Sequence, residues 1–316
     1  MKQLARFAAV ALLCTVFFAP TPHASVPATG RQAQDEVTVL LPPVSFSNET
    51  QLEAINALDA HAAAFLGAGQ TIAIVDAFVD TDMIEESRVV EHVDLLSVPS
   101  SFDSGHGTAV TAVAMEVAPE ASFLLYRAID DDGVVDLDAA VTAIHDAVAA
   151  GATVINLSFV TATDYGQLHQ AIKIAHALGI HVVAAVGPES LGSAPYPASY
   201  PEVIGVSSVE LASNGGFQLV DEAYHGAAVE FLAQGETVVV PHGPAASGLA
   251  LGSGTSFAAP FVAGGCALVR AANPGLWRDE VTEILAHAVQ RAARTAEEIA
   301  AGHCDAVIDL EPAMLQ

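Results

Sequence analysis

Three residues of this 316-residue sequence, Asp76, His106 and Ser256, are of the types that together can activate a nucleophile. A serine hydroxyl becomes reactive when a neighbouring base takes its proton, and histidine can do this near neutral pH. The histidine in turn needs a carboxylate that holds its tautomer and orientation. Because each residue type is common by itself, the prediction of a triad depends on the surrounding sequence and on the elements that position each side chain.

Ser256 stands at the mouth of a predicted buried helix. Residues 252–254 are Gly-Ser-Gly, and residues 257–269 are apolar on every face, as in a helix surrounded by protein. We expect Pro260 to be tolerated because it lies in the first turn, where its missing N–H would have no partner. N–H groups at the start of a helix would stabilise negative charge developing on a substrate oxygen. Taken alone, Ser256 is better interpreted as an N-cap on a packed helix.

His106 and Asp76 occupy positions that suit the same site. His106 has a glycine on each side, just before an apolar helix, and glycine lets other groups approach the ring closely. Asp76 follows the apolar run 71–75, which predicts a buried parallel strand, and ligands bind at the C-terminal ends of such strands. Taken alone, His106 is more simply a turn residue, and Asp76 could equally well cap the next helix. No G-x-S-x-G motif surrounds Ser256, which disfavours the α/β-hydrolase type of site.

Alternating strand and helix patterns must position these residues. Strands are predicted at residues 71–75, 90–95, 122–126, 153–159, 180–186, 203–209 and 237–240. Amphipathic helical patterns are predicted at residues 52–65, 137–148, 168–175 and 281–289. Strands that alternate with helices indicate a parallel sheet covered on both faces. With no internal repeat or long linker, residues 48–316 are predicted to form one domain.

The N-terminus has the pattern of a secretory signal peptide. Two basic residues precede the apolar run 7–19, and small residues follow around Ala24 and Ala28. The apolar run is too short for a membrane-spanning helix. We therefore assign residues 1–24 to a signal peptide and residues 25–47 to a short N-terminal segment. The expected protein is secreted, to the periplasm or the medium, and keeps no membrane anchor.

The charge balance excludes two classes of partner. Asp and Glu number 37 against 10 Lys and Arg, which gives a net charge of −27, so the surface repels nucleic acid and anionic membranes. Outside the signal peptide the cysteines are Cys266 and Cys304. An oxidising compartment permits a disulfide between them, but Cys266 lies on the predicted buried helix and is equally explained as a core residue. Both interpretations stay open.

Three sequence motifs occur in the order Asp, His, Ser. Residues 72–76 are Ile-Ala-Ile-Val-Asp, residues 105–108 are Gly-His-Gly-Thr, and residues 254–260 are Gly-Thr-Ser-Phe-Ala-Ala-Pro. In these motifs and in their order the chain resembles the subtilisin-like serine proteases, or subtilases. Stretches between them also agree with the family, so the resemblance covers about residues 52–315.

The resemblance implies a three-layer α/β fold, with a central parallel sheet covered by helices on both faces. It also implies serine endopeptidase chemistry on a polypeptide. Ser256 would attack the peptide carbonyl, His106 would act as general base and then acid, and Asp76 would orient His106.

The resemblance further implies how substrate would bind. An extended polypeptide would lie as an added strand beside Ser158, Phe159 and Val160, with Gly187 also part of the substrate site. The alternative for residues 158–160 is an ordinary buried strand end. We expect a monomer that needs no cofactor for catalysis. A structural calcium ion is common in the family, but no ligands are assigned to one, and Asp80 and Asp82 are only acidic residues in a loop.

The chain departs from the family pattern at the oxyanion hole. The family has an asparagine that donates a hydrogen bond to the developing oxyanion, whereas this chain has Pro188, which offers no donor. In subtilisin itself, loss of that donor costs ~10²–10³ in kcat. Ser190 or a protonated Glu189 could substitute. In addition, Val160 replaces a glycine in the substrate strand, which should change the S1 entrance, and residues 25–47 are too few for the family's folding prodomain.

The sequence therefore predicts a secreted, single-domain, subtilisin-like serine endopeptidase with a modified oxyanion hole. The alternative is a catalytically impaired subtilase, a pseudoprotease that binds peptides or a protein partner. A third possibility is an esterase acting on activated acyl groups, which tolerates a poorer oxyanion hole. Asp76, His106 and Ser256 favour the peptidase, and Pro188 favours the pseudoprotease.

Overall fold

The computed structural model describes residues 29–31, 36–40, 47–100, 105–192, 194–242, 248–293 and 303–310. For residues 29–31 and 36–40 it defines the backbone and its pairing. The predicted signal peptide, residues 1–24, lies outside the described residues.

The described residues form fifteen strands and seven α-helices. The strands, numbered in chain order from β1 to β15, are Thr29–Arg31, Glu36–Leu40, Thr71–Asp76, Val89–Asp94, Ser122–Arg127, Val134–Asp136, Val154–Leu157, His181–Ala185, Val203–Leu211, Phe217–Leu219, Phe231–Gln234, Val238–His242, Gly248–Ser253, Val289–Arg291 and Ala306–Ile308. The helices, from α1 to α7, are Glu49–Ala54, Ala57–Ala62, His106–Val117, Leu137–Ala149, Gly166–Ala177, Thr255–Ala272 and Arg278–His287.

A central sheet runs in the order β14-β15-β11-β9-β8-β7-β3-β5-β4, with β10 paired to β9. Every pairing from β15 to β4 is parallel, and β14 and β10 pair antiparallel at one side. The strands at its centre are buried along their whole length, for example β7 and β8. Burial on both faces explains why the sequence shows apolar runs there and not an alternating pattern.

Helices cover both faces of the sheet, and each face has its own core. The first core contains apolar residues of α1, α2, α3, α6 and α7, and the second contains those of α4 and α5. The predicted three-layer α/β fold with a central parallel sheet is therefore confirmed. β3 is an interior strand of the sheet, between β7 and β5, so its C-terminal end opens between the two helical layers.

Several regions differ from the sequence-based prediction. The helix predicted at residues 52–65 is interrupted at Asn56, which takes a left-handed conformation with φ of 55°. There the Asn56 amide donates to Asp309 and the Ile55 carbonyl accepts from Leu310 N–H, so contacts with a distant segment override the local helical pattern. The strands that were not predicted are β1, β2, β6, β10, β11, β13, β14 and β15.

Cys266 is completely buried within α6, and no disulfide joins it to Cys304. Burial raises the pKa of the Cys266 thiol to about 12, as expected of a structural core cysteine. Among the described residues, α6 is also the helix long and apolar enough to cross a membrane, but 83% of its apolar window is buried inside the protein. It is placed as the core helix of the domain.

Candidate active site

Asp76 is the last residue of β3 and is completely buried. Its Oδ1 accepts hydrogen bonds from the Ala77 N–H, at 2.6 Å, and from Nδ1 of His106, at 2.6 Å. Its backbone carbonyl accepts from the N–H groups of Ala128 and Ile129. The carboxylate is therefore held by the backbone N–H of the next residue, and the same oxygen is directed at the histidine.

His106 is the first residue of α3, and the glycines on its two sides allow the helix to start there. Gly105 caps the helix with φ of 58°, a left-handed conformation that favours glycine. A Cβ on Gly107 would lie 2.3 Å from the Ala77 carbonyl oxygen, so only glycine permits this approach of α3 to the strand end. The Thr108 hydroxyl accepts from the Asp80 N–H at 2.8 Å and ties the same loop to the helix.

Ser256 is the second residue of α6, and its Oγ lies 3.0 Å from Nε2 of His106. The side chains of His106 and Ser256 are largely buried, with 9% and 3% of their surfaces exposed. The Phe257 ring packs against the His106 ring, with centroids 5.6 Å apart. The structure thus brings together Asp76, His106 and Ser256. The first and the last of these residues are 180 positions apart in the sequence (256 − 76).

The partners of the imidazole define its tautomer when it is neutral. An ionised carboxylate only accepts hydrogen bonds, so Nδ1 must carry the proton that is donated to Asp76. Nε2 then has a lone pair and accepts the hydroxyl hydrogen of Ser256. In this arrangement the histidine nitrogen facing Ser256 is the one able to take a proton.

Ser158, predicted in the substrate site, is buried, and its hydroxyl contacts the backbone carbonyl of Ser256. The Ser158 hydroxyl donates to the Ser256 carbonyl at 2.9 Å and accepts from the Asn156 amide at 2.9 Å. In an α-helix the Ser256 carbonyl would accept from the N–H of residue 260, but that residue is Pro260. The expectation that Pro260 lies in the first turn is therefore wrong. It is the sixth residue of α6, and Ser158 supplies the hydrogen bond that the proline cannot.

Gly187 and Val160, also predicted in the substrate site, lie against each other beside the start of α6. The Gly187 N–H donates to Oγ1 of Thr255 at 2.9 Å, which attaches this loop to the residue before Ser256. A Cβ on Gly187 would lie 2.7 Å from Cγ1 of Val160, so the Val160 side chain fills the space that a side chain at position 187 would occupy. Phe159 is 1% exposed and packs in the second core, whereas Val160, which is 2% exposed, packs against Gly187.

Pro188 follows directly in the same loop and is half-buried. It forms an antiparallel bridge with Ala223 and precedes a short 3₁₀ turn, Glu189–Leu191. The side chains of Glu189 and Ser190 in this turn are exposed to solvent. The loop that carries an asparagine donor in the family thus holds a proline, and the two candidate substitute donors face outward.

Among the described residues there is no group of three or more His, Cys, Asp or Glu side chains that could hold a metal ion. The Asp80 side chain instead accepts from the Asp82 N–H at 3.1 Å and caps a short turn. That contact agrees with the interpretation of Asp80 and Asp82 as acidic residues in a loop.

Sequence reasoning missed two residues that hold the site together. Asn156 positions the Ser158 hydroxyl, and Thr255 anchors the loop of Gly187. Thr255 lies within the motif at residues 254–260, and Asn156 lies within residues 154–158, one of the stretches between the motifs that agree with the family. The contact of Thr255 could not be foreseen because it joins segments 68 residues apart. Asn156 contacts Ser158 two residues away, but this contact supports the site only because Ser158 reaches Ser256, 98 residues further along the chain.

Comparison with known proteins assigns this arrangement to a family. A model of the subtilase family matches residues 67–303, so the chain belongs to the subtilase family of serine-type proteases. It is 31% identical to the minor extracellular protease Epr of Bacillus subtilis, over 71% of this chain and 35% of that protein. It is 33% identical to subtilisin DY of Bacillus licheniformis, over 65% of this chain and 81% of that protein.

A similar fold occurs in a solved structure. Fervidolysin from Fervidobacterium pennivorans superimposes with a TM-score of 0.76 at 21% identity, over 90% of this chain and 51% of that one. The chain therefore spans about a third of the length of Epr and about half that of fervidolysin.

Proposed function

We propose that this protein is a secreted endopeptidase that hydrolyses polypeptides through Asp76, His106 and Ser256. The observation that carries the proposal is the continuous hydrogen-bond chain from Asp76 Oδ1 through His106 to Ser256 Oγ, with lengths of 2.6 and 3.0 Å. Family membership supports a polypeptide as the substrate class.

Each residue has a distinct part in the reaction. Ser256 Oγ attacks the peptide carbonyl while His106 Nε2 takes its proton, and Asp76 stabilises the imidazolium that forms. The same proton then passes from His106 to the leaving amine, and water hydrolyses the acyl-enzyme. Since all three residues are largely buried, the low local dielectric strengthens these interactions relative to water.

The oxyanion site is expected to be weaker than in most subtilases. Ser256 lies in the first turn of α6, where backbone N–H groups and the helix dipole favour negative charge on a substrate oxygen. Pro188 offers no second donor, and Glu189 and Ser190 face solvent. We therefore expect stabilisation of the oxyanion to depend on the N-terminus of α6 more than it does in most subtilases.

Two further properties belong to the proposal. Export is supported by the signal-peptide pattern of residues 1–24 and by the name of the Bacillus subtilis relative, an extracellular protease. A preference for small P1 residues is supported by Val160. Its side chain fills the space that a side chain at position 187 would occupy, beside Ser256.

The proposal is tested by the intact mass of the purified protein after treatment with a fluorophosphonate. We expect one adduct on the wild type, an adduct of equal yield on Ser253→Ala, and none on Ser256→Ala. Ser253 is a matched control because it ends β13 three residues before Ser256. Absence of an adduct on the wild type, under conditions that label subtilisin, would contradict the proposal.

Pro188 favours a second candidate function, a pseudoprotease that binds polypeptides without cutting them. The same experiment separates the two, because a pseudoprotease has no activated Ser256. Matched ester and amide substrates then separate a peptidase from an esterase, since an esterase would cut the ester alone.

A further inference from the structure

Three charged residues at the ends of neighbouring strands form a row on one face of the central sheet. Asp76 ends β3, Arg127 ends β5 and Asp94 ends β4, and the three are partners in the strand register. Two positions earlier, Ile74 and its register partner Leu125 both lie in the first core, and side chains two positions apart share a face of a strand. Asp76 and Arg127 therefore lie on the face covered by α3, the helix that carries the candidate general base.

The guanidinium group of Arg127 is held in place by three contacts. Its Nη1 donates to Oδ2 of Asp94 at 2.9 Å and to the Val98 carbonyl at 2.7 Å. Its Nη2 donates to Oδ1 of Asp131 at 3.4 Å. Arg127 is 1% exposed, whereas the side chains of its two acidic partners are 42% and 24% exposed. The positive charge is thus fixed inside the protein, with its carboxylate partners on the solvent side.

An arginine is an unusual residue to bury in this chain. The sequence has 10 Lys and Arg against 37 Asp and Glu. Removing a cation from water is costly, and a buried ion pair is often no more stabilising than apolar residues of similar volume. Stability alone therefore gives little reason for a buried arginine at position 127. Its location one strand away from Asp76 indicates a role at the site.

The carboxylate of Asp76 is only partly satisfied by hydrogen bonds. Both of its contacts go to Oδ1, and the buried Oδ2 has no hydrogen-bond partner among the described residues. Nε of Arg127 is likewise buried without a partner in the part of the chain that the structure describes. Adjacent strands of a sheet lie about 4.8 Å apart, so a fixed cation stands on the strand next to this carboxylate.

Other titratable groups around His106 come from several elements. Those in the described residues are Asp76 of β3, Asp80 in the loop after it, His92 and Asp94 of β4, Asp131 in the turn after β5, and His242 of β12, whose Nδ1 would lie 3.8 Å from a Cβ on Gly105. The residues of α6 beside the histidine, Ser256 and Phe257, are uncharged. The surroundings are therefore mainly acidic, and Arg127 is the cation among them that stays charged at every pH of interest.

We propose that Arg127 is a positioning residue of the candidate active site, which acts through the Asp76–His106 pair and opposes protonation of His106. The chain as a whole carries a charge of −27, and such a field favours a positive charge on a histidine. A cationic His106 could not take the proton of Ser256. The fixed charge of Arg127 offsets this field at the site. The inference rests on the proposed peptidase function and adds a residue to its machinery.

The proposal predicts shifts of opposite sign in the pH midpoint at which His106 titrates. Arg127→Met removes the cation and leaves two carboxylates unpaired, and both effects favour the imidazolium, so the midpoint should rise. Asp94→Asn removes an acid and keeps Arg127, so the midpoint should fall. Unit charges about 10 Å apart at an effective dielectric of about 40 shift each other's midpoint by about 0.6 pH unit. We expect a rise of at least about 0.5 unit and a fall of about 0.3 unit.

The experiment is a histidine NMR titration of Ser256→Ala protein, which does not depend on activity. The His106 signals are identified by their absence from Ser256→Ala/His106→Gln. Arg127→Lys keeps the charge and should stay within about 0.2 unit of the parent protein. The matched control is Arg291→Met, which removes an exposed arginine paired with Asp305 and should leave the midpoint unchanged.

Midpoints that do not move, or that move in the same direction in Arg127→Met and Asp94→Asn, would overturn the proposal, since a general loosening of the site gives no opposite shifts. If Arg127→Met does not fold, Asp94→Asn and Asp131→Asn decide the question, because both remove an acid at the surface of the row. Unchanged or raised midpoints in these two variants would then reject the role of Arg127.

Fluorophosphonate labelling of the active protein distinguishes this proposal from the peptidase itself. The rate of labelling at Ser256 should follow the same midpoints, because it requires a neutral His106. A wild type that is labelled with one midpoint in all variants keeps the peptidase and rejects the role of Arg127. A wild type that is unlabelled at every pH rejects the peptidase, while the NMR titration still decides whether Arg127 acts on His106.

Discussion

The hydrogen bond from the Ser158 hydroxyl to the Ser256 carbonyl stands in for the bond that the proline of α6 cannot make. The effects on stability of replacing Ser158 and of replacing Pro260 should therefore be coupled. The bond measures 2.9 Å, and both residues are almost fully buried. Replacing Ser158 by alanine removes this donor, and Pro260 has no N–H to take its place. A buried polar group that loses its partner costs about 1–3 kcal/mol.

The prediction is that Ser158→Ala lowers the free energy of unfolding by about 1–3 kcal/mol, and that Pro260→Ala reverses part of this loss. An alanine at position 260 restores the backbone N–H that an α-helix normally directs at the Ser256 carbonyl. In the Pro260→Ala background, Ser158→Ala should therefore cost less, by at least about 1 kcal/mol.

The assay is a double-mutant cycle by urea unfolding. All four proteins carry Ser256→Ala, so that proteolysis does not distort the transitions. The control is Thr142→Ala, which removes an exposed hydroxyl that donates to the Asp138 carbonyl within α4 and should change stability by no more than about 0.5 kcal/mol. The reasoning is refuted if Ser158→Ala costs the same with proline and with alanine at position 260.

Three other predictions concern the oxyanion site, the P1 pocket and the response to acid. Pro188→Asn should raise kcat on an amide substrate, by up to the ~10²–10³ measured for the equivalent donor in subtilisin, whereas Pro188→Ala, which adds no side-chain donor, should not. Equal kcat for the two variants would contradict this. Val160→Gly should raise kcat/KM for peptides with phenylalanine at P1 relative to alanine by at least about tenfold, and an unchanged ratio would show that Val160 does not limit the pocket. His181 is completely buried, with Nδ1 beside Arg270 and Nε2 donating to the Arg278 carbonyl; burial, followed by the charges of these arginines, lowers its pKa from 6.5 to about 3. The unfolded chain therefore binds the extra proton between pH 6.5 and 3, so stability falls as the pH falls, by about 2 kcal/mol at pH 5. His181→Gln should remove most of that loss in urea unfolding at pH 7 and 5, and the same pH dependence in both proteins would argue against His181 as its source.

The sequence predicted the layered fold because local signals agree with the tertiary arrangement in the middle of the chain. The apolar runs at 71–75 and 180–186 became β3 and β8, since central parallel strands are buried on both faces and need no alternation. Asp136 accepts from two N–H groups at the start of α4, as an N-cap should. By contrast, the helix predicted at 52–65 was wrong because a segment more than 250 residues away holds Asn56 in a left-handed conformation.

At the site, the sequence by itself determined which residue types were available and in what order. Asp76 ends a strand, His106 starts a helix between two glycines, and Ser256 follows a glycine turn into a helix. Only the tertiary structure decided that their side chains meet within hydrogen-bond distance. It also decided that Ser158 donates to the Ser256 carbonyl. The N–H that Pro260 lacks in α6 is replaced there by a hydroxyl from a distant segment of the chain.

The N-terminal segment shows the same division. Residues 29–40 carry little local pattern beyond a short apolar run, since a strand added to an edge is held mainly by backbone hydrogen bonds, which any sequence without proline can make. The sequence determined the chemistry that the chain can perform. The pairing of β1 with β6 and of β2 with β13 depends on where those edges lie in space, and so only the fold could decide which edges these strands join.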